Sequence, residues 1–138
     1  MNKNYIAPFI LFALDTLWLQ IFMKHKYNDM ITEIQKEKME VKLLPAMLAY
    51  IIMIIGLIMF VIPNVKEENN LMDSLKYGFM FGFISYGIYN FTNLSIVKKW
   101  HTSTAIINTL WGGILYFLTV YLTNSFTKTT NSISSFTF

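Results

Sequence analysis

The sequence contains no cysteine and no arginine, and both absences narrow its chemistry. Without cysteine it can form no disulfide, thiolate nucleophile or cysteine-ligated metal site. All eleven basic residues are lysines, and the net charge is +3. The lysines do not form a basic stripe of the kind that binds nucleic acid. The two histidines lie at charged turns without metal-ligand spacing. We therefore predict no metal site, no cofactor and no nucleic-acid partner.

Charge is also scarce. Only 14% of the residues are charged and 54% are hydrophobic, whereas a soluble domain carries about 25% charge. The charges cluster in the segments 24–42, 64–76 and 98–99 and leave four long gaps. Each gap is roughly 18–23 residues long, which lets an α-helix cross about 30 Å of hydrocarbon. The sequence predicts an all-α integral membrane protein, a four-transmembrane-helix bundle.

One transmembrane domain is expected over residues 1–123, followed by a Ser- and Thr-rich tail, 124–138, that is expected to be disordered. The second span has no polar side chain except Tyr50, so we expect it to face lipid and to say least about function. The predicted spans are about 5–23, 43–62, 75–97 and 102–122.

The charged segment 24–42 still has apolar residues at nearly helical spacing, opposite a face of lysine and glutamate. This pattern is typical of an amphipathic helix on the membrane surface. An ordinary solvated connecting helix explains it equally well.

Lysine counts predict the orientation of a multi-pass protein. The segments 24–42 and 98–99 hold seven lysines, and the N-terminus, the 64–76 loop and the tail hold four. This difference favours both termini outside the cytoplasm.

Three polar residues lie at one depth inside the predicted bundle. Asp15, Asn90 and Asn108 are eight or nine residues from the lysines that flank their spans, about 12–14 Å at the rise of an α-helix. No lysine lies in the interior of any span to pair with Asp15. Its carboxyl group should therefore face the bundle and be protonated or hydrogen-bonded.

Further polar and aromatic residues surround this layer. The tetrapeptide Asp15-Thr16-Leu17-Trp18 is echoed by Asn108-Thr109-Leu110-Trp111 in a span of opposite direction, which either hints at an inverted repeat or arises by chance. We expect a site between the first, third and fourth spans, in the cytoplasmic half, with a proton-linked or ligand-pairing acid, amides that bind by hydrogen bonds, and aromatic walls. The candidate residues are Asp15, Trp18, Tyr86, Tyr89, Asn90, Asn93, Asn108 and Trp111.

Three kinds of function fit this constellation. The leading hypothesis is a membrane-embedded binding or transport protein for a small molecule, an ion or a lipid, with proton linkage through Asp15. Since four helices make a thin permeation path, we expect a homo-oligomer in the bilayer. The alternatives are an enzyme that modifies a lipid or isoprenoid, and a structural subunit whose polar layer fixes the helix register. The enzyme is less favoured because the spans contain one acidic residue and neither a nucleophile nor a set of metal ligands to act with it.

The chain resembles a family of small four-span bacterial membrane proteins known as domain-of-unknown-function family 2177. The resemblance covers about residues 5–122. In that family, aspartate usually stands at the positions of Asn90 and Asn108. This sequence has asparagine at both positions, so Asp15 is the only acidic residue expected inside the membrane. The resemblance implies the fold and the site, and it carries no activity. The matching motifs are Leu14-Asp15-Thr16-Leu17-Trp18-Leu19, Pro45-Ala46, Tyr89-Asn90-Phe91-Thr92-Asn93 and Asn108-Thr109-Leu110-Trp111-Gly112.

Overall fold

Four long helices make up the protein. The structure, a computed structural model, describes residues 2–137, and in that range it contains helices and no strand. Helix α3 is an unbroken helical stretch, 70–96, built from Asn70–Asp73, Ser74–Phe79 and Met80–Ile96. The other helices are α1 (Lys3–Gln35), α2 (Leu43–Asn64) and α4 (Thr102–Ser135).

Within residues 2–137, α1, α2 and α4 are long and apolar enough to cross a membrane. The predicted all-α membrane helical bundle is therefore confirmed. Helix α3 has a similar length and is less apolar, because Asn90, Thr92 and Asn93 interrupt its apolar sequence. It remains the expected fourth span.

Glycines let α3 and α4 cross at close range. A Cβ atom added at Gly82 would overlap the carbonyl group of Gly112, and one added at Gly112 would overlap the ring of Tyr86. Gly113 likewise accommodates the ring of Phe79. Such contacts between backbones are the usual reason for small residues at membrane helix crossings. They also hold Tyr86 against α4, where its hydroxyl group can reach the interior of the bundle.

Helix α1 continues without a break from the predicted first span, 5–23, into the segment 24–42, where a helix was also predicted, and it ends at Gln35. The apolar face of this extension, which was expected to contact either a membrane surface or other residues, packs on other parts of the protein. Met30 is fully buried against Trp100 and Ala105, in the turn between α3 and α4 and the start of α4. The backbone N–H of His101 donates to the sulfur of Met30 at 3.3 Å. The apolar face predicted for this segment is thus covered by protein.

Helix α4 also continues further than predicted, since it ends at Ser135 and not near residue 122. The structure is therefore helical over most of the tail, 124–138, that was expected to be disordered; Phe138 lies outside the described residues. No glycine or proline follows Gly113 to break the helix. The hydroxyl groups of Thr123 and Thr127 each donate to the carbonyl four residues earlier, which satisfies them without leaving the helix.

A buried amide network joins this extension to the start of α3. The Asn70 side chain donates to the carbonyl of Tyr121 at 3.1 Å and accepts hydrogen bonds from Asn124 at 3.0 Å and from Ser74 at 3.1 Å. Both donors to Asn70 are buried.

Replacing Asn70 with leucine should lower the free energy of unfolding by about 2 kcal/mol, because it leaves those buried donors without an acceptor. Unfolding in detergent, followed by circular dichroism, measures the change. Asn64→Leu is the matched control, since the exposed Asn64 bonds only to the carbonyl of Phe60. Equal effects of the two substitutions would contradict the prediction.

Candidate functional site

The carboxyl group of Asp15 is the centre of a cluster of hydrogen-bond donors. Its residue is 5% exposed, and three helices supply the donors. The hydroxyl group of Tyr50 on α2 donates to Oδ2 at 2.7 Å. The indole N–H of Trp111 on α4 and the hydroxyl group of Tyr86 on α3 donate to Oδ1, at 3.1 Å and 3.5 Å. All three donors are neutral, so they can solvate a carboxylate charge without cancelling it.

The contribution of α2 corrects the sequence-based expectation, which placed the site among the other three spans and regarded α2 as uninformative. Tyr50 makes the shortest hydrogen bond to Asp15. The sequence contains a signal that could have identified Tyr50, because this residue lies eight residues from Lys42. This distance puts it about 12 Å below the lysine level, which is the depth that identified Asp15.

A cavity of about 570 Å³ adjoins Asp15, between the first half of α2 and the other helices. Helix α2 packs against α1 and α3 through its segment Leu57–Val61. In contrast, none of the residues 43–55 is buried. The first half of α2 therefore stands away from the bundle, and the cavity is the space that it leaves.

The cavity is elongated and mostly apolar. Along α1 its wall extends from Asp15 to Tyr27, about 18 Å at the rise of an α-helix. Lys24 lies near the outer end, and Met39 and Val41 line it from the segment that joins α1 to α2. Tyr116, which the sequence analysis missed, lines the cavity and donates to the carbonyl of Met53 at 3.2 Å. The apolar part of the wall includes Leu19, Met23, Ala46, Ala49, Ile52, Met53 and Phe81.

Four of the eight candidate residues line this one cavity. They are Asp15 on α1, Tyr86 and Tyr89 on α3, and Asn108 on α4. Asp15 and Asn108 were predicted to lie at the same depth, and both line this cavity.

Trp18 and Trp111 do not line the cavity and form a stacked pair beside it. Their ring centroids are 4.5 Å apart and their planes differ by 6°. The pair joins the two echoed tetrapeptides, but the contacts are not symmetric. Trp111 donates to Asp15, whereas the indole N–H of Trp18 is buried without a hydrogen-bond partner within the described residues.

Asn90 and Asn93 lie away from the cavity lining. The Asn90 side chain is fully buried and donates to the carbonyl of Tyr86, one turn earlier on its own helix, at 2.8 Å. Its Oδ1 atom has no hydrogen-bond partner among residues 2–137. Asn93 is partly buried at the next turn of α3. The matched depth of Asn90 and Asp15 therefore does not bring their side chains into contact.

Comparison with protein families identifies the same family that the sequence motifs resemble. A family model described as "Predicted membrane protein (DUF2177)" matches residues 1–124, which is most of the chain. No curated protein and no solved structure matches it. The chain therefore belongs to the DUF2177 family of predicted membrane proteins.

Proposed function

We propose that this membrane protein binds a lipophilic small molecule that enters its cavity sideways from the bilayer. The observation that carries the proposal is the position of Asp15 on the wall of an apolar cavity of about 570 Å³. Ligand sites in proteins have volumes of about 300–1,000 Å³ and combine an apolar lining with a few polar groups. The volume of the cavity beside Asp15 lies in this range, and its wall is mostly apolar with a few polar groups.

The packing of α2 supports lateral entry. Hydrogen bonds connect the segment Leu43–Gly56 to other helices at Tyr50 and at the carbonyl of Met53. Other side chains of this segment face outward, and Leu43, Leu44 and Met47 are 73%, 68% and 52% exposed. A ligand dissolved in the bilayer can reach the cavity wherever the first half of α2 stands apart from its neighbours.

The same geometry disfavours a purely structural role for Asp15. A polar group that only fixes helix register is best sealed among its partners, because an exposed polar edge in hydrocarbon is costly. Asp15 has three hydrogen bonds and still borders the cavity. A binding site requires a polar group that borders the cavity, whereas a polar group that only fixes helix packing does not need to border one. Transport of the bound molecule would need a second opening, which an assembly of several copies could provide.

Filling the cavity tests the proposal. Ala46 lines the cavity, whereas Leu48, on the same helix, is 51% exposed and is not part of its wall. Binding is measured by equilibrium dialysis of the protein in nanodiscs, as excess over empty nanodiscs. The probes are tetraphenylphosphonium, tetraphenylborate and triphenylmethanol.

We expect saturable binding of at least one probe, about one molecule per chain. Ala46→Trp should weaken that binding tenfold or more, because the indole ring occupies the cavity, and Leu48→Trp should leave it unchanged. Binding that is absent, or equally affected by the two substitutions, would overturn the proposed function.

A further inference from the structure

We infer that the ligand of this cavity is an organic cation and that Asp15 is its counter-ion. The inference rests on the proposed function and adds the charge of the ligand to it. It follows from the charges and the rings that surround the cavity.

Asp15 is the only acidic residue on the cavity wall as far as the structure describes it. Its hydrogen-bond partners, Tyr50, Tyr86 and Trp111, are neutral. The only lysine on the described wall, Lys24, is nine residues further along α1, about 14 Å away along the helix axis. No salt bridge of Asp15 occurs among residues 2–137. A carboxylate inside a membrane normally has a partner of opposite charge, and here the cavity offers the room for one.

The rings around Asp15 favour a cation as well. Five tyrosines line the cavity. Aromatic rings attract cations through their quadrupole, and this is how proteins recognise quaternary ammonium groups. The tyrosines are Tyr27, Tyr50, Tyr86, Tyr89 and Tyr116.

The alternatives fit less well. An anion would be repelled by Asp15, since Coulomb forces act strongly where the surroundings are apolar. A neutral alcohol could donate a further hydrogen bond to the carboxylate, but the protein already supplies three neutral donors of that kind. Only a cation adds an interaction that the protein itself does not supply.

The three probes separate these cases in the unmodified protein. Tetraphenylphosphonium and tetraphenylborate have the same shape and opposite charge, and neither donates an N–H or O–H hydrogen bond. Triphenylmethanol is neutral and has a hydroxyl donor. We expect the phosphonium to bind at least ten times more tightly than either of the others. Equal or tighter binding of the borate or the alcohol would overturn the inference, although binding that Ala46→Trp removes would still support the proposed function.

Substitution of Asp15 tests the role of its charge. Asp15→Asn keeps the size of the side chain, and we expect it to remove the preference for the phosphonium over the alcohol. Asp29→Asn is the matched control, because it removes the same charge from an exposed position of α1 outside the described cavity wall, so the preference should persist. Should Asp15→Asn fail to fold, the order of affinities in the unmodified protein still decides. A preference for the cation that survives Asp15→Asn would contradict the role of Asp15.

Discussion

Replacing Gly82 with leucine is expected to prevent α3 and α4 from packing and to destabilise the bundle severely. A Cβ atom at this position already overlaps the carbonyl group of Gly112, which belongs to the backbone and cannot rotate away. The helices would have to separate along their whole contact. We expect a loss of about 3 kcal/mol or more. The measurement is the fraction of monodisperse protein in detergent and its midpoint of thermal unfolding.

Gly87 provides the matched control on the same helix. A Cβ atom there would meet only the methyl group of Thr109, at 3.3 Å, and a side-chain methyl can move by the small distance required. Gly87→Ala should therefore unfold within a few degrees of the unmodified protein. If Gly82→Leu behaved in the same way, the close crossing of α3 and α4 would be wrong.

The second large effect is expected at Trp111, which combines two interactions. Its ring stacks on Trp18, and its N–H donates to Asp15. Trp111→Leu removes both and leaves a void, so we expect the free energy of unfolding to fall by about 3 kcal/mol. Trp111→Phe keeps an aromatic ring and removes the donor. It should cost about 1 kcal/mol, the usual size of one hydrogen bond between membrane helices.

Reversible unfolding in detergent gives both values. The control is the neighbouring Leu110, which is 47% exposed. Leu110→Ala removes apolar contacts with lipid or detergent and should change the free energy of unfolding by less than about 1 kcal/mol. A loss for Trp111→Phe as large as that for Trp111→Leu would mean that the bond to Asp15 matters more than the stacking.

The sequence predicted the bundle well because long apolar gaps between charges are set by the thickness of the bilayer. It was less accurate at helix ends outside the hydrocarbon, where that constraint no longer applies. The extension of α1 to Gln35 depends on contacts between Met30 and Trp100. The extension of α4 depends on Asn124, which bonds to Asn70. Both pairs are far apart in the sequence, so these contacts could not be inferred from local composition.

Of the eight candidate residues, four line one cavity and four do not. Asp15 was found because a charge in a long apolar segment has few explanations. Matched depth related Asp15 to Asn108, and both line the cavity. Depth does not give the rotation of each helix about its own axis, and so Asn90 was placed with them although it bonds to its own helix. Tyr50 was overlooked because a lone tyrosine is common among apolar residues.

The attachment of α2 at one end has a consequence for rates. If the cavity binds a ligand as proposed, the ligand can leave when the first half of α2 moves outward, a displacement that breaks the hydrogen bonds of Tyr50 and Tyr116. Collective helix motions of this kind take microseconds to milliseconds. If that step limits exchange, residence time and affinity are set by different parts of the protein. Residues on the outer face of α2 would then control how quickly the cavity fills and empties without touching its occupant.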